Sequence, residues 1–169
     1  MSEFPQTAID THAHFGVNIG SKPDFVNDFM TADGATVAKR ARKLNIRLSV
    51  VTPLKALMPR LGADVIGGND EAYKVVAKTD GWLQWQVLSP LEKNSFDQVE
   101  DMLQSPKCVG IKIHPVEHGY HIRDHGKELF TFAAKHQTTI LSHSGEEGCM
   151  PEDYVQFADE FPEMNLVLA

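Results

Sequence analysis

A chain of 169 residues, 42% hydrophobic and 23% charged, is long enough for one domain with a sizeable core and has the composition of a folded globular protein rather than a disordered one. Lys and Arg total 16 against 23 Asp and Glu; the formal charge of −7 argues against nucleic-acid binding driven by phosphate neutralisation but leaves room for a local basic mouth. No apolar stretch approaches the roughly 20 residues needed to cross a bilayer, and the two cysteines, Cys108 and Cys149, are too far apart for a zinc ribbon or a disulfide framework and are expected as reduced thiols.

The opening segment, Met1-Ser2-Glu3-Phe4-Pro5-Gln6, lacks the basic and apolar regions of a secretion signal, and the expected location is cytoplasmic. Strand-sized apolar or β-branched runs follow at 8–12, 46–52, 83–88, 109–114, 139–143 and 165–169. Between them, helical periodicity marks 35–44, 70–79, 96–103, 127–136 and 152–161. Asn69 or Asp70 is expected to cap the second of these helices, with Gly67-Gly68-Asn69 as the turn before it, and Pro151 suits the first turn of the last. No repeat or linker divides the chain, which reads as a single domain.

Strand then helix, repeated, means parallel strands joined by right-handed crossovers. The near-continuous hydrophobicity of residues 46–51 also suits a strand covered on both faces. Two α/β architectures fit: an open doubly wound sheet, or about six strands of a (β/α)₈ TIM barrel. In a barrel, reactive side chains come from the C-terminal ends of several strands. Here His12 and His14 end the first run, Thr52 the second, Ser89 the third, Lys112 and His114 the fourth and His143 the fifth. An open sheet more often carries a glycine-rich fingerprint after its first strand, which Gly16-Val17-Asn18-Ile19-Gly20 does not make. The incomplete barrel is the favoured reading.

In an extended strand, residues i and i+2 share a face, so His12 and His14 can direct two imidazoles at one ion. An isolated His-x-His is more often a surface pair; the third histidine, His143, changes that balance. Thr139, Leu141 and His143 alternate onto one face, so His143 can enter the same mouth while Ile140 packs outward. Lys112 shares a face with His114, which directs a lysine into the barrel interior, a costly placement unless it is paired or functional. Asp10 has the parity of His12 and reads as a structural carboxylate or a partner of a ligand.

Together, Ile9-Asp10-Thr11-His12-Ala13-His14, Gly110-Ile111-Lys112-Ile113-His114-Pro115, Leu141-Ser142-His143-Ser144-Gly145 and the segment 161–169 resemble the amidohydrolase superfamily, closest to its amidohydrolase-2 branch of metal-dependent hydrolases and decarboxylases. The resemblance covers nearly the whole chain and keeps the segments in order. It implies metal ligation by His12, His14 and His143, with zinc the best match to three imidazoles and manganese, iron, cobalt or nickel still open. Some branches carboxylate a fourth-strand lysine to bridge two metals, but the branch resembled here generally uses one. Lys112 is therefore expected to act on substrate or through its charge, with a plain salt bridge to Asp10 or Glu117 as the structural alternative.

His114, at the exit of its strand, is expected to contact substrate, and Pro115 to end regular pairing there. The segment 117–125 reads as a loop of solvated or substrate-facing groups, from which Arg123 can bind a substrate carboxylate. Glu146 and Glu147 read as an exposed acidic turn, and Trp82, Trp85, Phe25 and Phe29 as packing residues. A barrel closes with eight strands, whereas this sequence stops in the sixth. The expectation is a piece of a longer enzyme whose exposed edges favour homo-oligomers.

The reading is thus a metal-dependent hydrolase of a small amide, ester or lactone, or a non-oxidative decarboxylase. Polymerase-and-histidinol-phosphatase phosphoesterases also open with His-x-His but usually continue into Ser-Asp-Gly, where this chain has Phe15-Gly16-Val17. A catalytically inert interaction module is the non-enzymatic alternative.

Overall fold

The computed structural model describes residues 7–20 and 24–169; the opening segment 1–6, read above for targeting signals, lies outside them. Six parallel strands in the order β1-β2-β3-β4-β5-β6 curl into a half-barrel with helices between them, an incomplete (β/α)₈ barrel. The strands are β1 (Ala8–Phe15), β2 (Ile46–Pro53), β3 (Trp82–Val87), β4 (Cys108–Ile113), β5 (Thr139–Ser142) and β6 (Leu166–Leu168). The helices are α1 (Asp24–Met30), α2 (Gly34–Lys43), α3 (Val65–Lys78), α4 (Asn94–Met102), α5 (Pro115–His118), α6 (Ile122–Lys135) and α7 (Val155–Glu160).

Strand alternation sorts the core into two sides. Ile111, Ile113 and Ile140 point outward and pack with Leu129, Phe130 and Ala133 of α6, and Phe15 and Val51 pack with Ala38, Ala72 and Trp82. Val50, Trp85 and Leu141 form the inner layer. Trp85 also donates its indole N–H to the carbonyl of Thr11 at 2.9 Å, tying β3 to β1 beneath the histidines. Asp33 caps α2 by accepting from the N–H of Thr36, and Arg40, Arg42 and Lys43 meet the negative end of that helix.

Several elements differ from the sequence reading. The helix expected from 70 begins at Val65, capped by Asp64 rather than by Asn69 or Asp70. Gly67-Gly68-Asn69 is therefore helix interior and not a turn. At Gly68 a Cβ would lie 2.6 Å from the backbone nitrogen of Ala56, so glycine lets α3 close onto the short 3₁₀ turn Leu54–Ala56. Asn69 is fully buried and brackets Val87, donating to its carbonyl at 2.8 Å and accepting from its N–H at 2.9 Å, which satisfies the end of β3.

The segment 117–125, expected as loop, holds the end of α5, a left-handed Gly119 that terminates it, and the first turn of α6. The stretch 152–161 divides into a 3₁₀ turn, Pro151–Tyr154, and α7; Pro151 does occupy a first-turn position. Phe25 and Phe29 are not packing residues. They are 73% and 79% exposed on α1, an element whose short pattern gave no periodic signal. Trp82 and Trp85 are buried as expected.

Candidate functional site

The C-terminal ends of β1, β4 and β5 bring five of the expected residues together. β1 carries a register irregularity between Asp10 and Ala13, and Asp10 Oδ1 accepts from the backbone N–H of His12 at 3.1 Å. The carboxylate thus shapes the strand and not the imidazole. His12 and His14 lie edge to face, with ring centroids 4.9 Å apart. From β4, Lys112 is 1% exposed, and its Nζ stands 3.4 Å from His12 Nε2. The alternative salt bridges are not formed: Glu117 pairs with Arg60 at 3.1 Å, and no carboxylate pairs with Lys112 among the described residues.

His114 stacks on His143, with centroids 4.1 Å apart and planes 13° from parallel. Its Nδ1 accepts from the backbone N–H of Glu117 at 3.3 Å, which leaves the ring proton on Nε2. His143 Nε2 is 2.8 Å from Glu146 Oε1. The carboxylate takes that N–H and leaves Nδ1 as the lone pair. The end of β5 is anchored by Tyr154, whose hydroxyl donates to the His143 carbonyl at 3.0 Å and lies 2.6 Å from the Ser142 hydroxyl.

Burial is the main influence on the charge states. It pushes His14 down to about 4, with His12, Lys112 and His143 adding repulsion. His12 is lowered by burial, then by Lys112, against the opposing charge of Asp10. His114 is pushed down to about 2 by burial, then by His143 and Lys112. Burial also brings Lys112 down to about 8. At neutral pH His12, His14 and His114 are therefore neutral, beside one ammonium that is still protonated but weakly so.

Neutral imidazoles are the donors a divalent ion requires, and His14 Nδ1 is buried without a hydrogen-bond partner. In chemistry the donor set fits. Among the described residues, however, no three His, Cys, Asp or Glu side chains are set so that one ion could bond them all. At His12, Nε2 faces the Lys112 ammonium.

Arg123 is not part of the cluster. Its guanidinium is bound by the buried carboxylate of Asp153 at 2.6 Å, and the cavity it lines, with His121, Glu147 and Met150, includes none of the five residues.

A family model described as amidohydrolase matches residues 9–169. The chain belongs to the amidohydrolase family. A comparison with curated proteins gave no match. Members of this family are in general enzymes, metal-dependent hydrolases and decarboxylases that typically use divalent metals.

Three supports of these histidines were not expected from the sequence. The i,i+3 spacing of His143 and Glu146 was a usable signal for the first. The N–H of Glu117 on His114 follows from Pro115 starting a helix at once. Tyr154, eleven residues beyond His143, carried no signal at all. Among the described residues, no helix is long and apolar enough to cross a membrane.

Proposed function

We propose that His12, His14 and His143, which are not set around one point in this structure, close on one divalent ion, zinc by donor type, once Lys112 leaves His12 Nε2, in a site that hydrolyses a small amide, ester or lactone or removes a carboxylate from its substrate. The observation that carries this reading is the meeting of imidazoles from β1, β4 and β5 around a buried ammonium at one end of the half-barrel. When bound, such an ion supplies Lewis-acid polarisation of a carbonyl or carboxylate oxygen and a lowered water pKa.

The protein's own groups then have separate tasks. His114 is neutral and carries its proton on Nε2, so it donates a hydrogen bond to a substrate oxygen and does not act as a base. Lys112 Nζ places positive charge where negative charge develops, and its lowered pKa lets it release a proton near pH 8. Asp10, Glu146 and Tyr154 hold the histidines in position. The free thiols of Cys108 and Cys149 accord with a cytoplasmic setting. The outer strands of the sheet, β1 and β6, accord with association of copies through their edges.

The test is an assay of the chelated chain before and after zinc, using p-nitrophenyl acetate, a simple lactone, a hydroxybenzoate for carbon dioxide release and bis-p-nitrophenyl phosphate. Zinc-dependent turnover of one of the first three, lost in His143→Ala and reduced in His114→Ala, is expected. Turnover of the phosphodiester alone would shift the reading to a phosphoesterase, and activity indifferent to zinc and to His143 would end it.

A further inference from the structure

Positive charge is gathered on one face of a chain whose formal charge is −7. Residues 39–47 hold five cations, Lys39, Arg40, Arg42, Lys43 and Arg47, and no acid. All five are exposed, on the second half of α2 and the start of β2, and none forms an ion pair among the described residues. Arg42 reaches the carbonyl of Asp80, at 3.5 Å, and not its carboxylate. The negative end of a helix amounts to about half an elementary charge, too little to account for five cations. Leu44, 73% exposed, stands among them.

The far end of the sheet has the opposite sign. Beyond Lys135 the chain holds no Lys or Arg, whereas residues 146–163 hold seven carboxylates. Arg123, Lys127 and His143 engage three of these, Asp153, Glu160 and Glu146. Asp159 on α7 and Glu163 just beyond it are exposed, with no ion-pair partner among the described residues. Because every strand is parallel, α2 and α7 both run away from the mouth and end where the next strand begins. Lys43 and Glu163 therefore lie at the same level, remote from the histidines, toward opposite edges of the sheet. Each edge strand also exposes an apolar residue, Ile9 on β1 at 63% and Val167 on β6 at 45%. The charged residues outside the described ones, Glu3 and Lys22, cancel.

We propose that copies of this chain associate head to tail, the basic end of α2 of one copy against the acidic end of α7 of the next. The two surfaces differ, so the contact is heterologous, and each copy offers one of each kind. Opposite charges steer and align the encounter, while pairing α2 with α2 or α7 with α7 would set like charges against each other. Leu44 and the apolar residues of the edge strands supply surface from which water is expelled. Contact at the end remote from the mouth leaves the histidines accessible. The inference goes beyond the functional reading above and uses neither the metal nor the histidines.

The test is sedimentation velocity of the metal-free chain at low and high salt, about 50 mM and about 500 mM. Wild type is expected to self-associate at the lower salt, with its affinity falling about tenfold or more at the higher. Two variants reverse one face each: Arg40→Glu with Lys43→Glu, and Asp159→Lys with Glu163→Lys. Either one alone is monomeric at a concentration where wild type associates. An equimolar mixture of the two recovers association, because the untouched acidic face of the first meets the untouched basic face of the second. A monomeric wild type, a variant that associates as wild type does, or two folded variants that fail to recover together overturns the proposal. A wild type that stays monomeric and binds phosphatidylserine vesicles instead also overturns it, and assigns the cations to an anionic membrane. Should the variant of α2 fail to fold, Asp159→Lys with Glu163→Lys and the salt dependence of wild type decide.

Discussion

Replacing Lys112 with methionine should make the metal-free protein more stable at neutral pH while impairing its chemistry. Burial lowers this ammonium from the usual 10.5 to about 8, a penalty on the charged form of about 3 kcal/mol. The contact with His12 Nε2 offsets about 1 kcal/mol of it, so Lys112→Met should gain about 2 kcal/mol at pH 7. In a domain of this size that raises Tm by about 4–8 °C.

The sign of the pH dependence follows from the same shift. Below pH 8 the folded and unfolded chains both carry the proton, and the penalty is complete. As pH rises from 8 toward 10.5, the folded lysine loses its proton before the unfolded one, and wild type recovers about 2 kcal/mol by pH 9.5. Urea denaturation of both proteins at pH 7 and 9.5 should show the advantage of the variant nearly vanishing at the higher pH. A variant less stable at pH 7, or an advantage unchanged by pH, would show that the ammonium is not desolvated as described.

Three further outcomes are expected. Glu146→Gln removes the carboxylate that accepts from His143 Nε2, and zinc affinity should fall about tenfold by competition with a fluorescent chelator, with little change in Tm. Asn69→Leu leaves the N–H and carbonyl of Val87 unpaired at the end of β3 and should cost about 2–4 kcal/mol in urea denaturation. His14, at about 4 in place of 6.5, stays neutral while its unfolded counterpart charges, so the metal-free chain should lose up to about 3 kcal/mol as pH falls from 6.5 to 4. His14→Gln should flatten that part of the stability profile.

The sheet was legible because parallel strands covered on both sides write themselves as unbroken apolar runs, and all six expected runs became strands. Polar residues at their C-terminal ends pointed to one mouth, and His12, His14, Lys112, His114 and His143 do meet there. What could not be read were the long-range polar partners. Asn69 carries the residue type of a helix cap, yet its side chain serves β3, 18 residues along the chain. The pairing of Arg123 with Asp153, 30 residues distant in sequence, carried no local signal. The pair of Arg60 and Glu117, 57 residues apart in sequence, carried no local signal either. The exposure of Phe25 and Phe29 was illegible for a different reason, since aromatic residues in a seven-residue helix carry the same pattern whether covered or not.

Equilibrium dialysis of the purified chain against zinc at pH 7, read as metal per protein, tests most directly whether imidazoles from β1 and β5 share one ion. The account predicts about one zinc per chain for wild type and its loss in His12→Ala, His14→Ala and His143→Ala alike. Less than about 0.1 zinc per chain, or binding that survives His143→Ala, would contradict it.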